Sequence, residues 1–272
     1  MSGTFPLLQH FEAPNATRAQ LARVHSLDYI DAIEAAAPKR GLVSLDPDTW
    51  MNPHTLEAAL RAAGALVLGT DLVMAGTVEN AFCNVRPPGH HATHDQAMGF
   101  CFFNNIAVGV AHALEHHGLQ RIAILDFDVH HGNGTEDIFK HDPRVMLCST
   151  FQHPFYPYCG ANSSNAHIIN TPLAAYAGGK EFRSAVSDVW LPALDRFQPE
   201  MIFVSAGFDA HKEDAMSNLL LVDEDYAWVT QQIKAVAATY AQKRIVSTLE
   251  GGYALEALGR SATSHVRALC GA

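Results

Sequence analysis

Long apolar runs are missing from this chain. No stretch approaches the roughly 20 residues that span a bilayer, so a helical membrane protein is not expected. Basic residues are scarce as well: 18 Lys and Arg stand against 28 Asp and Glu, a formal net charge of −10 with no basic run. Such a surface repels a phosphate backbone, which argues against nucleic-acid binding. The acidic balance suits cationic substrates, but it is equally ordinary for a soluble protein. The five cysteines (Cys83, Cys101, Cys148, Cys159 and Cys270) are odd in number and include no Cys-x-x-Cys pair. That excludes an obvious disulfide framework or thiolate zinc site and leaves reduced thiols. Residues 1–10 carry neither a basic n-region nor a long apolar h-region, so secretion is not expected and the cytoplasm is the default location. Internal repeats and low-complexity linkers are also lacking. With 48% hydrophobic side chains over 272 residues, the chain can bury one large core, and a single domain over 1–272 is expected.

What is present is an alternation. Apolar strand patterns at 78–85, 121–126, 145–150, 201–206 and 244–249 alternate with helical patterns at 53–75, 104–117, 180–197, 223–241 and 253–269. This predicts an α/β fold, a central parallel sheet with helices on both faces. Pro53 reads as a helix-start residue and Gly118 as a stop. Short helices are expected at 17–23 and 26–37. Residues 151–172, rich in aromatics, Pro, Asn and Ser, read as one long loop, a kind of segment that tends to be functional in compact domains.

Two stretches carry the chemistry: Arg86-Pro87-Pro88-Gly89-His90-His91, and Asp126-Phe127-Asp128-Val129-His130-His131-Gly132-Asn133-Gly134. The second follows an apolar strand pattern, so its acidic residues belong at a strand's carboxyl end, where open α/β sheets place their ligands. Alternation puts Asp128 and His130 on one side, and Asp209, after another strand, can approach from a neighbour. Two carboxylates and one imidazole balance a divalent ion and leave positions open for water and substrate, as catalytic zinc requires. Asp126, two residues before Asp128, is placed to support that shell. Asp or His after a strand often just caps a turn, but their joint occurrence reads as a metal-dependent hydrolase.

With VHS at 24–26 and Tyr29-Ile30, RPPGHHA from Arg86, GFCFFNNIA from Gly99, DFDVHHGNGT from Asp126, SAGFDAH from Ser205 and EGGYAL from Glu250, the chain resembles the histone deacetylase superfamily along nearly its whole length. That superfamily also includes acetylpolyamine amidohydrolases and acetoin-utilisation proteins. The RPPGHHA wording and Asn133, where many class I relatives have Asp, resemble the class II branch and its bacterial relatives. The resemblance implies a single-domain arginase/deacetylase-like fold and a zinc-dependent amidohydrolase, with Fe2+ an alternative metal, acting on acetyl-lysine or a small N-acetyl amine. It implies that Asp128, His130 and Asp209 hold the metal, that His91 is the general base beside neutral Asn133, and that His90 is its charged partner bonded to Asp126. A carboxylate neighbour raises an imidazole pKa, whereas a neutral amide does so less, which separates the two histidines. Tyr253 matches the tyrosine that donates to the substrate carbonyl. Phe100 and Tyr156 match aromatic channel walls, and Met216 the gatekeeper position, where polyamine-selective relatives place a glutamate. These three residue types are also common in ordinary packing. Structural potassium is implied near Asp126, Asp128, His130, Ser149 and Thr150, with a second site around Phe139, Asp142 and Val145.

Two features depart from the family pattern. Only ten residues precede Phe11, so the N-terminal part reads as shortened, with the first strand and an entrance loop reduced or absent. The usual Asp-Pro-Leu-Gly-Gly wording is replaced by Asp214-Ala215-Met216-Ser217-Asn218. A non-catalytic acyl-lysine binding module is argued against by Tyr253 and His91. An arginase-like binuclear manganese hydrolase needs extra bridging carboxylates, which Gly132-Asn133 does not supply. Acyl-chain length and oligomeric state are left open at this stage.

Overall fold

A computed structural model describes residues 8–271. Its strands are β1 (Val43–Asp46), β2 (Thr49–Met51), β3 (Asn80–Cys83), β4 (Ile122–Asp126), β5 (Val145–Gln152), β6 (Ile168–Leu173), β7 (Met201–Ala206) and β8 (Ile245–Leu249). The helices are α1 (Arg18–Leu21), α2 (Leu27–Ala36), α3 (Thr55–Met74), α4 (Asn105–Glu115), α5 (Asn133–Phe139), α6 (Gly179–Ala185), α7 (Leu191–Phe197), α8 (Asp223–Tyr240) and α9 (Leu255–Cys270). β3 to β8 form one parallel sheet in the order β3-β8-β7-β4-β5-β6, while β1 and β2 make a separate antiparallel hairpin.

β4, β5, β7 and β8 are buried at every residue, as expected of parallel strands covered on both faces. Side-chain alternation divides the core. Ile122, Ile124 and Phe203 pack with Leu66 and Val110 from α3 and α4. Ala123, Leu125, Ile202 and Val204 point the other way, toward Phe127, Trp190, Tyr226 and Val229. No helix among the described residues is long and apolar enough to cross a membrane, and all five cysteines are free.

Several expectations need correction. The long loop is shorter than expected, because β5 runs on to Gln152 and β6 occupies Ile168–Leu173. β6 carries Asn170, Thr171 and Pro172, a polar pattern that only an edge strand tolerates. The helix expected at 180–197 is interrupted by a π-helical turn at Val186–Trp190, just before Pro192, which has no N–H to offer an α-helical ladder. α3 begins at Thr55 with His54 as N-cap, so Pro53 lies ahead of it. α9 begins at Leu255, leaving Tyr253 in a turn whose Gly252 has φ +140°. The β1–β2 hairpin and α5 have sequences too short for periodicity to reveal. The expected shortening concerns the segment before Phe11, of which residues 1–7 lie outside the described residues.

The segment that precedes α1 is held directly against α3. A Cβ on Gly64 would lie 1.9 Å from the Pro14 carbonyl oxygen and 2.8 Å from the Ala16 amide, and the Ala16 amide donates to the Leu60 carbonyl at 2.8 Å. Gly64→Val therefore displaces that segment and costs about 1–3 kcal/mol by overpacking, which a urea midpoint measurement checks.

Candidate active site

The sheet order brings three strand ends together. β4 lies between β7 and β5, and β7 pairs with β8, in register such that Asp126 faces Ser205 and Ala206 faces Leu249. Past those ends the chain places Asp128, His130 and Asp209 with one ligand atom each, all within 4.8 Å of one another and all buried. His130 Nδ1 is 3.0 Å from Asp128 Oδ1 and 3.2 Å from Asp209 Oδ2. One N–H cannot serve both oxygens. It donates to Asp128, and Asp209 Oδ2 is buried with no hydrogen-bond partner. Backbone amides hold the carboxylates in place: Gly251 donates to Asp128 Oδ2 at 2.8 Å and Val129 to Asp209 Oδ1 at 2.9 Å. Gly251 must be glycine for this, since a Cβ there would fall 2.0 Å from Asp209 Oδ2.

The electrostatics call for a cation. Burial and the neighbouring Asp128 charge raise the Asp209 carboxyl to about 6. Burial also opposes ionisation of Asp128, but the charge on His90 and the His130 contact outweigh it and hold Asp128 far below the usual carboxylate range. Burial disfavours charged His130, yet its bond to Asp128 and the nearby Asp209 carboxylate raise it to about 10. An unpartnered carboxylate oxygen, a second carboxylate and an imidazole nitrogen converging on one point fit a divalent ion of the zinc type.

The two adjacent histidines differ in their partners. His90 Nδ1 lies 2.9 Å from Asp126 Oδ2. Burial works against its charged form, but Asp126 and Asp128 overcome it and raise the imidazole to about 10. His91 Nδ1 lies 2.7 Å from Asn133 Oδ1, so the amide oxygen accepts the Nδ1 proton and Nε2 keeps its lone pair. Burial, reinforced by charged His90 and His130, pushes His91 well below 6.5. Its ring lies 5.8 Å from that of His130.

Around this centre, the Tyr156 ring stands edge-on to His91 at 5.2 Å, and Phe100 meets Tyr253 at 6.0 Å. Phe100, beside Tyr253, is 37% exposed, and Met216, whose amide shares the Asp214 carboxylate with the Tyr253 turn, is 42% exposed, so both stand at the rim. From Phe100 an open groove of about 490 Å³ continues past Trp50 and Asp48. Burial pushes the Tyr253 phenol upward, so it stays protonated as a donor. Four contributors were not singled out from sequence. Buried Glu250 accepts from the Gly89 and His90 amides at 2.7 and 3.2 Å and from Ser205 Oγ at 3.0 Å. Asp214 accepts from the Tyr253 and Ala254 amides at 2.7 and 3.0 Å through Oδ2, and from the Met216 amide through Oδ1. Arg86 donates to the Gly252 carbonyl at 2.8 Å and lies over the Tyr253 ring. Phe155 stacks on His130 at 5.5 Å. Glu250 carried a signal as a charged residue directly after an uncharged strand pattern, and Arg86 as part of a motif that was read. Among the described residues the Asp128 cluster consists of Asp128, His130 and Asp209.

Comparison with known proteins agrees with this geometry. A histone deacetylase domain profile matches residues 1–269. The chain is 38% identical over 260 residues to a histone deacetylase-like amidohydrolase of Pseudomonas aeruginosa, covering 93% of this chain and 68% of that protein. It is 38% identical over 272 residues to the chloroplastic histone deacetylase 14 of Arabidopsis thaliana, covering 94% of this chain and 64% of the relative. The crystal structure of the HDA15 HD domain superposes with a TM-score of 0.93 at 33% identity, over 99% of this chain and 77% of that one.

Asp209→Ala removes the carboxylate whose free oxygen completes the cluster. If the cluster binds a divalent ion, the purified variant is expected to bind less of it than the wild type, as metal analysis of the two side by side will read.

Proposed function

The chain belongs to the histone deacetylase family, and from that membership we propose a zinc-dependent amidohydrolase that removes acetyl or a related acyl group from an amine. The observation that carries this reading is the position of His91: a buried, neutral imidazole with Nε2 free, next to the Asp128, His130 and Asp209 cluster. Zinc, or Fe2+ on the same donor set, held by those three side chains supplies Lewis acidity to the acyl carbonyl and makes water a stronger acid.

The chain's own residues do the rest. His91 takes a proton from water as the oxygen adds to the carbonyl carbon, then returns one to the amine nitrogen as the C–N bond breaks, releasing amine and carboxylate. Tyr253 donates its hydroxyl hydrogen to the carbonyl oxygen, which turns negative at the tetrahedral stage. His90, kept charged by Asp126, steadies that negative charge without transferring a proton. Phe100 and Tyr156 enclose the acyl-bearing chain, and the groove past Trp50 accommodates what lies beyond it. Met216 offers no charge to a second ammonium, which favours acetyl-lysine over acetylated polyamines. A potassium ion beside Asp126 and Ser149 is supported by Ser149 Oγ, buried with no partner. At the other potassium position the Asp142 carboxylate is bonded to Arg144 and the Phe139 carbonyl accepts from the Asp142 amide, so the side chains there lend an ion little support.

The test is steady-state hydrolysis of an acetyl-lysine reporter peptide and of N-acetylated polyamines, by metal-stripped and zinc-restored protein. Zinc-dependent turnover with the peptide preferred is expected, and a folded, zinc-loaded sample inert toward every acyl amine would refute the reading. His91→Ala is expected to keep the metal but lose most turnover. Tyr253→Phe should lower kcat about 10²-fold, as loss of an oxyanion donor does; near-wild-type rates in either variant contradict these roles.

The pH profile follows from His91, which acts only when neutral. Its pKa is depressed below 6.5, so this base is neutral at pH 7, and its contribution to activity is lost as pH falls through that lower value. Asn133→Asp sets a negative charge against Nδ1 and stabilises the imidazolium, so the acid limb moves up by about one pH unit or more. An unmoved limb in a pH–kcat/KM profile would assign the titration elsewhere.

A further inference from the structure

We propose that Asp71, His112, His116 and His117 form a second divalent transition-metal site, remote from the candidate active site. One ligand atom from each of the four lies within 4.8 Å of the others. Asp71 comes from α3, and the three histidines from the last turn of α4 and the residues just after it. His112 and His116 stand four residues apart on one helix face, stacked with ring centroids 4.8 Å apart, and His117 meets both edge-on at 5.4 and 4.9 Å.

Asp71 Oδ1 lies 2.7 Å from Nε2 of His112 and 2.7 Å from Nε2 of His117. Two ring nitrogens are thus aimed at one carboxylate oxygen, and a third imidazole lies beside them. Three imidazoles and one carboxylate make a four-coordinate set for zinc and for later first-row ions such as Cu2+ and Ni2+. Entry is open, with the Asp71 side chain 46% exposed and His117 19% exposed.

The site is separate from the Asp128 cluster. α4 starts after Asn104, whose side chain bonds the Ala92 carbonyl next to His91. Twelve residues of helix, about 18 Å, then lead to His116. An ion here joins α3 to α4 and stabilises the fold by binding only the native state.

One neighbour opposes binding. Arg23 Nη1 lies 2.9 Å from His112 Nδ1, while its Nε is paired with Glu115 at 2.9 Å. With Arg23 donating to Nδ1, the His112 proton sits on Nε2. Ligation through Nε2 moves that proton to Nδ1, and the guanidinium then retains Glu115 alone.

The experiment is equilibrium dialysis of chelator-stripped protein against micromolar Zn2+ at pH 7.5, followed by metal analysis. The double variant His116→Ala/His117→Ala should bind one ion fewer than the wild type, and its thermal midpoint should lose the part of the zinc-induced rise owed to this site. The difference between the two proteins, rather than the total, reports this site, so failure of the Asp128 cluster to hold zinc leaves the test intact. Asp209→Ala should keep the ion that the double variant loses. Equal zinc counts in the wild type and the double variant would overturn the proposal, the cluster being then only a hydrogen-bonded helix end. Arg23→Gln keeps all four ligands and supplies an acceptor for the His112 Nδ1 proton, so zinc affinity should tighten about tenfold. Unchanged affinity in that variant would remove His112 from the ligand set.

Discussion

Two carboxylates buried at the carboxyl ends of neighbouring strands govern the organisation of this molecule. Asp128 and Asp209 are fully or almost fully withdrawn from water and face the same imidazole nitrogen. Like charges so placed are tolerable only with positive charge between or beside them. The surroundings answer that demand. The Gly251 and Val129 amides point at the carboxylates, charged His90 lies behind them, and the in-register pairing of β4, β7 and β8 fixes the distance at which the strand ends meet. A sheet of different strand order would leave these residues on separate edges, however well each segment folded.

The same demand divides the labour of His90 and His91. They are consecutive and equally buried, yet one is pushed up and the other down. The difference lies in what meets Nδ1, a carboxylate for His90 and an amide for His91. Once His90 is charged, its field depresses His91 further. The acid–base assignment therefore belongs to the pair and its two partners, not to either ring alone.

The sheet and the cluster were legible in the sequence because their signals are local. Short, predominantly apolar runs rich in β-branched and aromatic residues mark β4, β5, β7 and β8, and alternation over 128–130 puts Asp128 and His130 on one side. What escaped reading depends on contacts between distant segments. β6 is an edge strand with a polar, Pro-containing pattern, and only its pairing with β5 identifies it as a strand. The π turn arises where helix geometry meets Pro192. Glu250 and Asp214 act on backbone amides, which carry no residue-type signature, so nothing in the sequence shows that a carboxylate at 214 reaches the turn at 253. Arg86 stands within a motif that was read, but its hold on the Gly252 carbonyl spans 166 residues of sequence.

Asp214 ties two parts of the molecule that are usually discussed apart. One of its oxygens fixes the turn carrying Tyr253, and the other fixes the backbone at Met216 on the rim. The rim loop is one of the two segments whose wording departs from the family pattern, and its Ala215 and Met216 side chains are exposed and so free to vary. Its freedom stops at this carboxylate: insertions or deletions between 214 and 216 would drag the tyrosine turn with them. Side-chain replacement at 216 is thus an open evolutionary route to new selectivity, whereas changes in loop length are coupled to reactivity.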